Sequence, residues 1–262
     1  MDLGLQGKRA LVTAASRGLG RASARALAAE GAKVAVAGRD VAAMQALLDE
    51  LREAGAPDAI AVPMDLSKKE MLKPGVDQAA DTFGGLDIFV GNCGGPASGP
   101  FLSIDRAAWE AALNAILLPM VDLSHAVLPY MRSAGWGRII FVTTVGVKVH
   151  QPNMVLSDSI RLALVGMAKS LAMEFAAEGI MVNCLCPGPY ATDRMEDLIQ
   201  ASMERDGLDR AAAEALWLDE VPAGKFGRPE DFGAMVATLA SERAGFVTGA
   251  AIALDGGKSR AY

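Results

Sequence analysis

Residues 13–20 read T-A-A-S-R-G-L-G, and a second apolar run ends in V-A-V-A-G-R-D with Arg39. A glycine-rich turn that follows a short strand and opens a helix presents unpaired backbone N–H groups to a pyrophosphate, and its small residues let the phosphates approach closely. Ser16, Arg17, Gly18, Leu19 and Gly20 are the residues such a turn would set against its ligand. Ala14 stands where a first glycine is expected, so the string alone suits a plain strand–helix turn as well. Two arginines narrow the chemistry. A carboxylate at the end of the second strand suits a ribose 2′-hydroxyl, whereas an arginine there accommodates a 2′-phosphate. Arg17 and Arg39 can pair with that phosphate through charge-assisted hydrogen bonds, while Asp40 suits a helix N-cap. The pattern favours NADP(H) over NAD(H), the alternative for each arginine being a solvated surface charge.

The elements that must carry this turn are short apolar runs alternating with longer helical patterns. The runs are residues 8–13, 33–37, 58–63, 86–91, 137–143, 180–185 and 250–254. Uninterrupted apolar runs of this length suit strands of a parallel sheet buried on both faces, with helices as crossovers. Repeated β–α units describe a doubly wound α/β fold, here a single domain over residues 1–262. One segment breaks the rhythm. Residues 189–222 form a long, charged, helical insertion, placed either to fold over a ligand at the strand ends as a lid or to serve as a surface helix or subunit contact.

Composition bounds the rest. Hydrophobic residues make up 52% of the chain and charged residues 21%, enough for a large core. The net charge of -6 and the pI near 5.1 offer no general attraction to nucleic acid or an anionic membrane. The start M-D-L-G-L-Q-G-K-R has no apolar secretory core, and no uncharged apolar run reaches the roughly 18 residues of a membrane span. Cys93, Cys184 and Cys186 lack metal or redox spacing, and His125 and His150 are too far apart for a metal centre. A cytoplasmic protein with a small-molecule substrate, and without metal, nucleic acid or membrane, is expected.

Taken in order, the motifs resemble the short-chain dehydrogenase/reductase family, in particular its β-ketoacyl-carrier-protein-reductase-like (3-oxoacyl-ACP reductase-like) members, over residues 5–257. T-A-A-S-R-G-L-G is similar to the family's T-G-x-x-x-G-x-G loop. Asp65 and Leu66 in P-M-D-L resemble the segment that meets the adenine. G-N-C-G-G-P (91–96) resembles N-N-A-G, with Asn92 and Gly94 kept. Asn114 in W-E-A-A-L-N-A-I-L-L is read as the catalytic-tetrad asparagine. P-G-P-Y-A-T (187–192) resembles the segment in which Pro187, Gly188 and a threonine, here Thr192, meet the nicotinamide end. G-R-P-E-D-F-G through L-D-G-G resembles the carboxyl-terminal signature. The resemblance implies a Rossmann-like fold with a seven-stranded parallel sheet and helices on both faces, NADP(H) as cofactor, and a homodimer or homotetramer joined through helices at 107–133 and 157–178.

The resemblance also implies chemistry that this chain has altered. The family uses a serine, a tyrosine and a lysine four residues after the tyrosine. Here R-L-A-L-V-G-M-A-K-S-L-A fixes the register, and the three positions hold Thr144, Ser157 and Arg161. Lys169 falls eight residues too late. Thr144 keeps a hydroxyl for a carbonyl oxygen, and Arg161 keeps a positive charge that can bind ribose hydroxyls but cannot join a proton relay. Ser157 is a far poorer acid than a phenol, and its side chain is short. The ordinary tyrosine–lysine mechanism is excluded. Other sources of a proton are Lys148 and His150 in the loop before the helix, Tyr190, or a water relayed by Thr144 and Asn114; ordinary loop side chains are the alternative reading of the first three. The expected function is an NADP(H)-dependent oxidoreductase acting on a carbonyl or activated double bond. The alternative is a non-redox nucleotide-binding or assembly protein on the same fold.

Overall fold

The computed structural model describes residues 1–260. Seven strands, β1 (Arg9–Thr13), β2 (Lys33–Gly38), β3 (Ala59–Pro63), β4 (Ile88–Gly91), β5 (Gly137–Val142), β6 (Ile180–Pro187) and β7 (Ala251–Leu254), form one sheet in the order β3-β2-β1-β4-β5-β6-β7. Every neighbouring pair is parallel. This is the doubly wound, Rossmann-like sheet that the apolar runs predict, with strand ends shifted by one or two residues.

Alternate residues of each strand feed two separate cores, which is why the runs are apolar throughout. From β5, Ile140 and Val142 pack with α1 (Gly18–Ala29), α2 (Val41–Ala54) and α9 (Pro229–Ala240). Ile139 and Phe141 pack on the other face with α3 (Lys69–Phe83), α5 (Leu118–Ala134) and α6 (Val155–Phe175). Helix α4 (Arg106–Ala112) runs into α5 through a single π turn, Leu113–Leu117. By length and composition the α4–α5 rod could cross a membrane, but here its inner face (Ile116, Met120, Leu123 and Val127) packs in the core.

The chain order reverses between β1 and β4, so a crevice opens beyond their carboxyl ends. Helices α7 (Asp193–Asp206) and α8 (Arg210–Leu218) occupy the insertion. Thr192 and Asp209 cap them, and they share a small core of Met195, Ile199 and Ala213. Both contribute to the crevice wall through Met195, Leu198 and Trp217.

Candidate active site

A single cleft of about 1040 Å³ runs along the crevice, larger than the roughly 300–1,000 Å³ of ordinary ligand pockets. Its first half is built from main chain. The Thr13 hydroxyl donates to the Asn92 carbonyl at 2.7 Å and accepts from the Asn92 N–H at 2.9 Å; the Asn92 amide donates to the Ala14 carbonyl at 3.2 Å. These bonds lock the β1 and β4 loops together. A Cβ at position 20 would run into the Ala14 carbonyl and the Asn92 amide, so Gly20 lets α1 start against that lock. Arg17 occupies the α1 N-cap without making a side-chain cap, which leaves the first N–H groups open toward the cleft. Ser16, Arg17, Gly18 and Leu19 line the cleft, with Gly20 behind the turn.

Arg39, Asp65, Leu66, Asn92, Gly94, Pro187, Gly188 and Thr192 line the same half or its junction with the second. Asp40 caps α2 by accepting from the Ala43 N–H at 2.9 Å, as its position predicts. Asp65 accepts from the Ser67 hydroxyl and N–H at 2.7 and 3.0 Å, and these bonds hold its carboxyl below the usual range. Arg17 and Arg39 leave two cations at the open end, where a 2′-phosphate would sit. Backbone donors, a close-approach glycine and these cations fit a phosphorylated dinucleotide.

The second half is built from side chains. Ser157 lies in the first turn of α6, 4% exposed, and its hydroxyl has no hydrogen-bond partner among the described residues. One turn on, Arg161 is 6% exposed and donates to the Val142 carbonyl at 2.7 Å and the Gly94 carbonyl at 3.1 Å. Thr144 accepts from the Gly146 N–H at 3.2 Å and from the Gln151 side-chain amide at 3.1 Å. All three residues at the altered triad positions therefore meet in the cleft.

The comparisons with known proteins agree with this geometry. A family model described as enoyl-(acyl carrier protein) reductase matches residues 13–259. The 3-oxoacyl-[acyl-carrier-protein] reductase FabG of Aquifex aeolicus is 30% identical over 257 residues, 98% of this chain and 99% of the relative. The chain is a short-chain dehydrogenase/reductase. Among solved structures, the L-sorbose reductase of Gluconobacter frateurii complexed with NADPH and L-sorbose superposes with a TM-score of 0.94, at 28% identity and covering 100% of both chains. YwfH, an NADPH-dependent reductase involved in bacilysin biosynthesis, gives a TM-score of 0.91 at 26% identity, covering 97% of this chain and 100% of that one.

Within this short-chain dehydrogenase/reductase, several expected site residues fall elsewhere. Asn114 is exposed and lines a small separate pocket with Leu66, Ser67 and Asp122. Ala115 and the buried Ile116 face the main cleft instead, so an apolar side chain stands where an amide was expected. Asn114 lies in the π turn midway between the buried Ala112 and Ile116, on the side away from the buried stripe. Lys148 and His150 are exposed and do not line the cleft; the same loop sends in Gln151 and Met154. Tyr190 reaches the cleft wall, but its ring packs edge-on against Phe232 at 5.7 Å, and burial pushes its phenol up to about 12. It is a poor acid in the wrong place. Lys169 donates to the Gly249 carbonyl at 3.1 Å, away from the cleft.

Two site residues were missed from sequence. Gln151, 7% exposed, joins Thr144 to Asp158: its own N–H donates to the Asp158 carboxylate at 3.4 Å. Burial pushes the Asp158 carboxyl up, and its second oxygen is unpartnered. Arg194, at the start of α7, reaches across to donate to the Pro96 carbonyl at 3.1 Å. Its signal in sequence was a cation two residues after Thr192, in a segment read only as a lid.

Proposed function

We propose that this short-chain dehydrogenase/reductase uses NADP(H) to reduce a conjugated double bond or an activated carbonyl, without a side-chain acid. The observation that carries the reading is Ser157: the acid's place is taken by a short aliphatic hydroxyl beside a guanidinium, while the nucleotide half is complete. When bound, NADPH supplies a hydride. The residues then have to stabilise negative charge on the acceptor oxygen. Thr144 accepts from Gln151, so its own proton is free to point at that oxygen. Arg161 holds a fixed positive charge nearby, and a guanidinium does not give up its proton. Protonation falls to water. That order suits acceptors whose anion is already delocalised, such as an enolate, and disfavours simple ketones.

The vacant acid position also supports a second reading, a nucleotide-binding protein without turnover, which ranks below the first because the nicotinamide-side residues Asn92 and Thr192 remain in the cleft. Titration with NADPH and NADH, followed by enones, diketones, quinones and β-ketoacyl thioesters in the same cuvette, separates the two. Tighter binding of NADPH with oxidation by an enone or diketone supports the first reading. Binding without oxidation by any acceptor supports the second, and binding of neither nucleotide overturns both.

The same reading includes a homodimer or homotetramer through α5 and α6. Leu118, Leu162 and Met173 on these helices are 47%, 54% and 77% exposed, which supports a covered face. A monomer on size-exclusion chromatography would remove this part alone.

The proposed role of residues 189–222 is a substrate lid, supported by Met195, Leu198 and Trp217 in the cleft wall.

A further inference from the structure

Four arginines and four aspartates line the cleft, and among the described residues the two arginines at its reaction end, Arg161 and Arg194, make no ion pair. Arg161 and Arg194 approach the Gly94–Pro96 turn from two elements, α6 and α7. Arg161 bonds the Gly94 carbonyl, and Arg194 bonds the Pro96 carbonyl, its Nε 2.9 Å from where a Cβ on Gly95 would lie. Position 95 therefore has to be small for Arg194 to lie across the turn. Neither guanidinium has a carboxylate within ion-pair distance among the described residues. Each bonds only backbone carbonyls, two from Arg161 and one from Arg194, which leaves most of the five N–H donors of each fork unused. The other carboxylates of the cleft are engaged or set apart. Asp193 pairs with Arg17 at 3.6 Å, Asp65 is tied to Ser67, Asp40 caps α2, and Asp197 lies on α7 without a bond to Arg194. Burial lowers the pKa of Arg194, with Asp197 opposing the shift and Arg161 adding to it.

Arg161, 6% exposed, is a buried cation without a counter-ion, whereas Arg194 is exposed in the cleft wall, where its free N–H groups are open to a ligand. The surrounding wall is apolar: Ile116, Met154, Met195, Leu198 and Trp217. We infer that the substrate is a small carboxylic acid with an apolar body, its reducible C=O or C=C next to the carboxylate, and that Arg194 is the residue that grips that carboxylate while Arg161 fixes the charge of the cleft floor. A planar guanidinium takes a carboxylate by two parallel hydrogen bonds, which would orient the acceptor as well as hold it. The inference rests on the oxidoreductase reading for its reaction, and on geometry alone for its anion site. A thioester or a sugar offers no such charge at the reacting end.

The test uses acid and ester pairs, 2-oxobutanoate and crotonate against their methyl esters, with NADPH oxidation as readout. Wild-type kcat/KM for the acids should exceed that for the esters by tenfold or more. In Arg194→Gln that ratio should fall toward one, through KM, with Arg194→Lys restoring part of it. Equal use of acid and ester by the wild type, or an unchanged ratio in Arg194→Gln, overturns the inference. A second readout stands apart from turnover: calorimetric titration of the NADP⁺-saturated protein with butanoate and butanamide. Preference for butanoate that is lost in Arg194→Gln upholds the anion site even if no acceptor is reduced, in which case only the oxidoreductase reading falls. No preference between the two removes the site.

Discussion

At the glycine-rich turn, Thr13 and Asn92 fix the course of the main chain, and the ligand-facing groups are N–H donors that any small residue would supply. Across the cleft, Thr144, Gln151, Ser157, Arg161 and Arg194 line the wall with side chains; Gln151 and Thr144 bond each other, and the two arginines bond main-chain carbonyls. The first half can keep its main-chain course while its residues vary, as Ala14 shows: it occupies a glycine-like position at φ 46° and the turn still forms. The chemistry of the second half has no such freedom. Exchanging a phenol for a hydroxymethyl group changes which proton can move, and with it the reaction. The two halves are therefore separable, and variants in one should leave the other readable.

The largest effect should come from giving the reaction half back a phenol. Ser157→Tyr with Arg161→Lys should raise reduction of simple ketones by about 100-fold or more, the usual contribution of a positioned acid. Ketone reduction should then fall at high pH as the phenol ionises, a limb that the parent's profile lacks. The check is steady-state NADPH oxidation with a ketone panel at several pH values. Loss of the parent's own activity without any gain on ketones would show that Ser157 and Arg161 belong to a working site of another kind, and the separation of halves would fail.

A smaller effect should follow from reversing charge in the nucleotide half. Arg39→Glu should weaken NADPH binding by about 10- to 100-fold, the worth of one hydrogen bond to a charged group, and leave NADH nearly as before. Fluorescence titration of both nucleotides measures it. Equal weakening of the two would mean that Arg39 shapes the β2 end and does not read the phosphate.

The same contrast explains what could be read from sequence. The sheet was legible because each strand is an uninterrupted apolar run, as Ile139 to Val142 shows by feeding two cores alternately. The nucleotide half was legible because its groups follow one another along the chain at strand ends. Thr144, Ser157 and Arg161 were found by register against the residues after them. Asn114 was misplaced because motif order was used where helix phase decides: Ala112, Ile116 and Met120 recur every four residues, and Asn114 falls between them on the outer side. Gln151 was not legible, and Arg194 left only a cation two residues after Thr192 as its signal. Their directions are set by contacts with Asp158, Thr144 and Pro96, each brought near by the fold and not by the neighbouring sequence.

The smallest effect sharpens the contrast through stability. In the nucleotide half Asp65 is well satisfied by Ser67, but in the reaction half Asp158 is half-buried with one oxygen unpartnered. Burial raises its pKa above the ordinary value near 4. Between the ordinary and the raised value the folded chain holds more protons than the unfolded chain, so stability falls as pH rises through that window, and above it the whole cost stands. Asp158→Asn removes the charge and keeps an oxygen to accept from the Gln151 N–H. It should raise the free energy of unfolding by on the order of 1 kcal/mol at pH 7. The gain should shrink as pH falls and vanish below about 4, where wild-type Asp158 is protonated in both states. Urea denaturation at pH 7 and in acid reads both numbers. A loss of stability at pH 7 would mean that the carboxylate is needed to hold Gln151, and that the reaction half, like the nucleotide half, is anchored by a satisfied acid.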